Sequence, residues 1–166
     1  MNNFMRQRLL RGALLLALAI IFQGLRLLLP LPPVGGMFLI GSLVNMMLLL
    51  AVQYAGVVPA IIMGILLPSI AFLQGQLVLP LLVPIVAGGN VIFCLMYYYF
   101  KDKFVVWLIP LAKVLVLYIG TMLLLNWLVI PDKFATMVLF MMSWPQIITG
   151  IIGICLARNI SNRLPF

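Results

Sequence analysis

At 166 residues, 66% hydrophobic and 7% charged, the chain has too little polar surface to clothe a water-soluble domain of its size. Lipid is therefore the expected solvent for most of its exterior. The formal charge of +8 comes from Lys and Arg placed mostly at the ends of apolar runs, not from a patch interleaved with aromatics, which argues against a nucleic-acid partner. There is no histidine, and the two acids, Asp102 and Asp132, lie in polar breaks between apolar segments. Paired-carboxylate catalysis, histidine-based triads and His/Cys/carboxylate metal sites thus lack their parts, and neither enzymatic activity nor a cofactor is expected.

The first apolar segment, roughly 9–29, follows Arg6, Arg8 and Arg11 in the order of a signal peptide, but its length and the lack of an A-x-A-like cleavage site mark it as a permanent membrane helix. Ala13 and Ala17 give it a small-xxx-small face where another helix can approach closely. Gln23 and Arg26 stand about one turn apart near its far end. Arg26, within roughly 6 Å of the interface, either snorkels outward or joins Gln23 in an outward-facing site.

Two further segments, roughly 37–54 and 57–73, are separated by Gly56 and Pro59, and Pro68 predicts a kink in the third. The connections Pro30 to Gly36 and Gln74 to Pro84 are uncharged and rich in Pro and Gly. They suit either a lid over a pocket or short apolar loops with no role.

The last three segments run roughly 78–100, 104–129 and 134–157, again of membrane-spanning length. They carry the polar side chains Asn90, Lys113, Asn126 and Gln146, with Tyr118 and Trp144 near the same layer. Cys94 and Cys155 each fall within an apolar run and read as small packing residues.

This count predicts an all-α integral membrane protein, a single compact bundle of six transmembrane helices over residues 1–166. An even number of spans puts both ends on one side. Arg6, Arg8, Arg11, Lys101, Lys103, Arg158 and Arg163 then share that side, and only Lys133 faces the other. The bias places the N- and C-termini in the cytoplasm of a multi-pass cell-membrane protein.

Lys113 is the residue that most needs a purpose. It lies roughly 14 Å into its helix, near the bilayer centre, and no acid occupies any span to pair with it. Asn90 and Gln146 reach a comparable depth from the outer ends of their helices, about 15–18 Å. We therefore expect an outward-opening cavity among helices 4, 5 and 6, with Asn126 nearer its mouth and Lys113 meeting a negative or carbonyl group of a small ligand. The alternative for each amide is a hydrogen bond that holds two helices together. Without Asp, Glu or His in a span, coupling to protons or sodium is disfavoured, and without G-x-x-x-x-G-K-[ST] the chain has no P-loop of its own.

With Ala13 and Ala17 as an A-x-x-x-A motif and the small-residue and proline rhythm of AGVVPAIIMGILLPSIAFLQGQLVLPLLVPIVAGGN from Ala55 to Asn90, the chain resembles the substrate-binding S components of energy-coupling factor (ECF) vitamin transporters. The resemblance implies capture of a vitamin or related small metabolite from outside, in a pocket built largely from helices 4 to 6 and the outer loops. It also implies partners: a transmembrane T component, docking at Ala13 and Ala17, and two ATPase subunits that drive uptake. No signature of the biotin, thiamin, riboflavin or folate members is present. The competing reading is a non-transporting multispan scaffold resembling the rod-shape-determining MreD family, in which buried amides only join helices. A lipid-modifying enzyme with Lys113 as nucleophile would lack every other part of its site.

Overall fold

A computed structural model describes residues 3–29, 32–128 and 130–163, the side chain of Pro33 excepted. Among them are seven α-helices: α1 Asn3–Leu28, α2 Pro33–Tyr54, α3 Val57–Leu73, α4 Leu82–Phe100, α5 Ile109–Trp127, α6 Asp132–Met141 and α7 Trp144–Arg163. A 3-10 turn, Phe104–Leu108, leads into α5. Pro30 and Val129, at the ends of an expected loop and an expected helix, lie outside the described residues. Five stretches are long and apolar enough to cross a membrane: α1, α2, α4, the turn with α5, and α6 with α7; α3 is shorter, at 17 residues.

α2 is the hub of the bundle and packs on α1, α3, α4 and α7. Its sequence explains this position, because the uninterrupted run from Met46 to Val52 is apolar on every side and all of it is buried. A helix without a polar face can bury its whole circumference only if neighbours surround it. α7 supplies one neighbour through Thr149, which faces Gly41, and Gly153, which faces Asn45 and Met46. At Gly153 an added Cβ would stand 2.7 Å from the Asn45 Cβ, so this helix pair is set by the absence of a side chain.

α1 lies at the side of the bundle, against α2 and α3. Only Gly12, Ala19 and Gln23 are buried along it, one stripe at i, i+7 and i+11. Gly12 meets Pro59, where an added Cβ would come within 2.9 Å of the proline Cβ. Ala13 and Ala17, by contrast, are exposed on the outside of the bundle. The tight contact of this helix within the chain is thus made at Gly12, and the small pair expected to receive a partner helix takes no part in it.

The expected unbroken helix over 134–157 is instead two helices that part at Met142 and Ser143. Pro145 is the reason. It has no N–H for the carbonyl of Met141 four residues back, so the ladder of α6 stops and a new helix begins at Trp144 with the proline in its first turn. The expected helix over 78–100 likewise begins later, at Leu82.

Candidate functional site

A cavity of about 150 Å³ lies inside the bundle. It follows α2 from Gly36 and Met37 through Ile40, Gly41 and Val44 to Asn45, with Gln23 and Arg26 of α1 and Leu67, Pro68 and Ala71 of α3 beside it. Gln76 and Leu77, Val86 and Asn90, Lys113, Met141, Met142 and Gln146 complete the wall. Its floor is therefore at the level of the buried Asn45 and Lys113, and the half-buried Arg26 and Gln76 mark its mouth. Nine residues separate Gly36 from Asn45, a run of roughly 14 Å along the helix.

Lys113 is 3% exposed. It lies on the inward stripe of α5 with Leu117, Thr121 and Leu125, positions four apart on one helix face. Its Nζ donates to Asn45 Oδ1 at 2.7 Å and stands 5.1 Å from the centre of the Phe93 ring. Asn45 in turn donates from Nδ2 to Thr149 Oγ1 at 3.2 Å, and Thr149 Oγ1 donates to the Gln146 carbonyl at 3.2 Å. A polar chain thus crosses from α5 through α2 to α7. Its only charged member is the ammonium, held by one amide oxygen and one aromatic face, with no acid among the cavity residues.

The two amides expected at this depth both reach the cavity, and prolines explain how they are held. Pro68 lies inside α3 and cannot donate to the Gly64 carbonyl four residues before it; Asn90 Nδ2 donates to that carbonyl at 3.3 Å. Pro145 leaves the Met141 carbonyl free in the same way, and Gln146 Nε2 donates to it at 3.1 Å. Each amide thereby satisfies a backbone acceptor that burial would otherwise leave costly. An amide has two N–H groups and one carbonyl oxygen, so one such bond leaves capacity for another partner.

At the mouth, Gln23 is 4% exposed and donates from Nε2 to the Leu67 carbonyl at 3.2 Å, while its Oε1 has no hydrogen-bond partner. Gln76 Nε2 donates to the Gln23 carbonyl at 2.7 Å and to Gln74 Oε1 at 2.9 Å. The connection from α3 to α4 is thereby tied over α1. Arg26 is half-buried and lines the cavity.

Of the residues expected to form a pocket, the structure brings together Gln23, Arg26, Asn90, Lys113 and Gln146. It does not bring Tyr118, Asn126 or Trp144 to them. Tyr118 is 41% exposed and Asn126 is exposed on the outer side of α5. Trp144 lies 5.6 Å from Phe140 and 6.0 Å from Phe38, ring centre to ring centre, bracing the break between α6 and α7 against α2. The expectation of a cavity among helices 4, 5 and 6 is corrected accordingly. The space is centred on α2 and bounded also by α1 and α3, because the apolar α2 takes the middle of the bundle. Asn45 was the residue missed, although a single amide near the midpoint of an apolar helix is the signal that marked Asn90. No protein-family model matches the chain, and no curated protein or solved structure is similar to it.

Proposed function

We propose that the chain is a membrane-embedded receptor for a small anionic or carbonyl-rich metabolite, entering from the end of the bundle where Arg26 and Gln76 lie. The observation that carries this reading is the Lys113 ammonium, buried on the wall of a cavity that contains no acid. A buried cation without a counter-ion is costly, and an arriving anion or carbonyl would supply the partner that the fold withholds. Cavities of this volume in other proteins accommodate a molecule of about benzene's bulk, which favours the small end of the vitamin-like range.

Within this reading the helices form six spans, α6 and α7 together making the last, and the basic end faces the cytoplasm. The Arg158 guanidinium donates to the Lys101 carbonyl and lies 5.3 Å from the Trp107 ring centre, so the α4–α5 turn and the end of α7 share that basic end. The chain would act as the S component of an ECF-type importer, with a T component and two ATPase subunits supplying energy. The exposed Ala13 and Ala17 on α1 suit the docking of such a helix partner.

The test is mass spectrometry of small molecules carried by the full chain purified in mild detergent, together with the proteins that copurify. A bound metabolite, lost in Asn90→Ala while the folded helical signal is kept, supports the receptor. One specific observation favours the scaffold reading instead, namely the chain of hydrogen bonds joining Lys113, Asn45 and Thr149 across three helices. A scaffold predicts no bound compound, and loss of thermal stability alone in Asn90→Ala and Lys113→Ala.

A further inference from the structure

Two cations, not one, line the cavity: Lys113 at its floor and Arg26 at its mouth. The chain's only acids, Asp102 and Asp132, are both absent from the wall, and no ion pair with Arg26 occurs among the described residues. Gln76, in the connection from α3 to α4, donates to the Gln23 carbonyl three residues before Arg26, whereas Lys113 bonds Asn45 near the middle of α2. The two positive groups therefore lie at opposite ends of the space. Between them the wall offers neutral amides and apolar side chains, among them Asn90, Met37 and Leu67.

From this arrangement we infer that the cavity selects a small dianion whose acidic groups stand at its two ends, one meeting the Lys113 ammonium and the other the Arg26 guanidinium. This rests on the receptor reading above and adds the ligand class to it. A guanidinium binds a carboxylate or phosphate through paired N–H donors, whereas an ammonium acts as a compact point charge. The more exposed end therefore carries the orienting contact. At the deep end, the anion would share Lys113 with Asn45 or displace its amide oxygen. A ligand with one acidic group would leave one cation without a counter-charge in a low-dielectric wall, and that difference is the source of selectivity.

The experiment uses the full chain in lipid nanodiscs and a series of straight-chain α,ω-dicarboxylates from malonate to suberate, each compared with its own monoamide by calorimetry. We expect one length to bind best, and at least about tenfold more tightly than its monoamide, as loss of one buried charge contact implies. In Arg26→Gln that ratio should fall to near unity, and Arg26 is half-buried, so this variant does not remove a core contact. Lys113→Gln should behave alike, with Arg26→Gln remaining decisive if the buried substitution unfolds the chain. Monoamides binding as tightly as their parents would overturn the dianion while leaving a receptor in place. A preference that survives in Arg26→Gln, or binding by none of the dicarboxylates, overturns it as well. A chain that carries no metabolite of any kind sinks the receptor reading itself.

Discussion

The Lys113 and Asn45 side chains form a pair in which either partner alone is a liability. Replacing Asn45 by Leu leaves a buried ammonium without its hydrogen-bond acceptor, which should lower stability by about 1–3 kcal/mol. Replacing both, as Asn45→Leu with Lys113→Met, removes the polar groups together and should recover much of that loss. Thermal unfolding of the purified chain in one detergent checks this, and losses that simply add would show that the two residues are not coupled. At Gly153, where an added Cβ would stand 2.7 Å from Asn45, Leu should cost about 1–3 kcal/mol by overpacking, read in the same assay. Lys113 was legible in the sequence because an unpaired cation deep in an apolar run has few explanations. Its partner was not, since an amide gives no sign of which of several helices it will face.

Among the elements, two prolines and two amides carry the logic. The Pro68→Ala chain regains an N–H for the Gly64 carbonyl, so Asn90 no longer has an unsatisfied acceptor to serve. Asn90→Ala should then cost about 1 kcal/mol in the natural background and clearly less with Pro68→Ala, as a double-mutant cycle of unfolding would reveal. The Pro145→Ala chain should let α6 run into α7 through Met142 and Ser143, which slower amide hydrogen exchange across 142–146 would report. Helix existence and order were read from apolar length, whereas this break was missed. A span-length count cannot see it, because the interrupted stretch remains long and apolar enough to cross a membrane. Pro145, which cannot donate to the Met141 carbonyl, was the available sign.

For the whole molecule, the charge bias predicts an orientation in the membrane. In a chain freed of Cys94 and Cys155, cysteine introduced at Lys133 should react in intact cells with a membrane-impermeant maleimide. Cysteine at Lys103 should react only after the membrane is opened, and the reverse pattern would invert the proposed topology. Bundle architecture could be foreseen from composition and segment length alone. Which helix holds the centre could not, because all the segments are apolar, and small-residue contacts such as Gly153 on Asn45 and interhelical hydrogen bonds such as Lys113 to Asn45 choose among arrangements. α7 runs without interruption from Trp144, beside the cavity, to Arg163, a rod of about 30 Å. Its first turn holds Gln146, and near its opposite tip Arg158 grips the Lys101 carbonyl. A stiff rod of this length joins the cavity wall at Gln146 to the grip on Lys101, so a displacement of Gln146 that tilts the helix is carried to the far tip of α7.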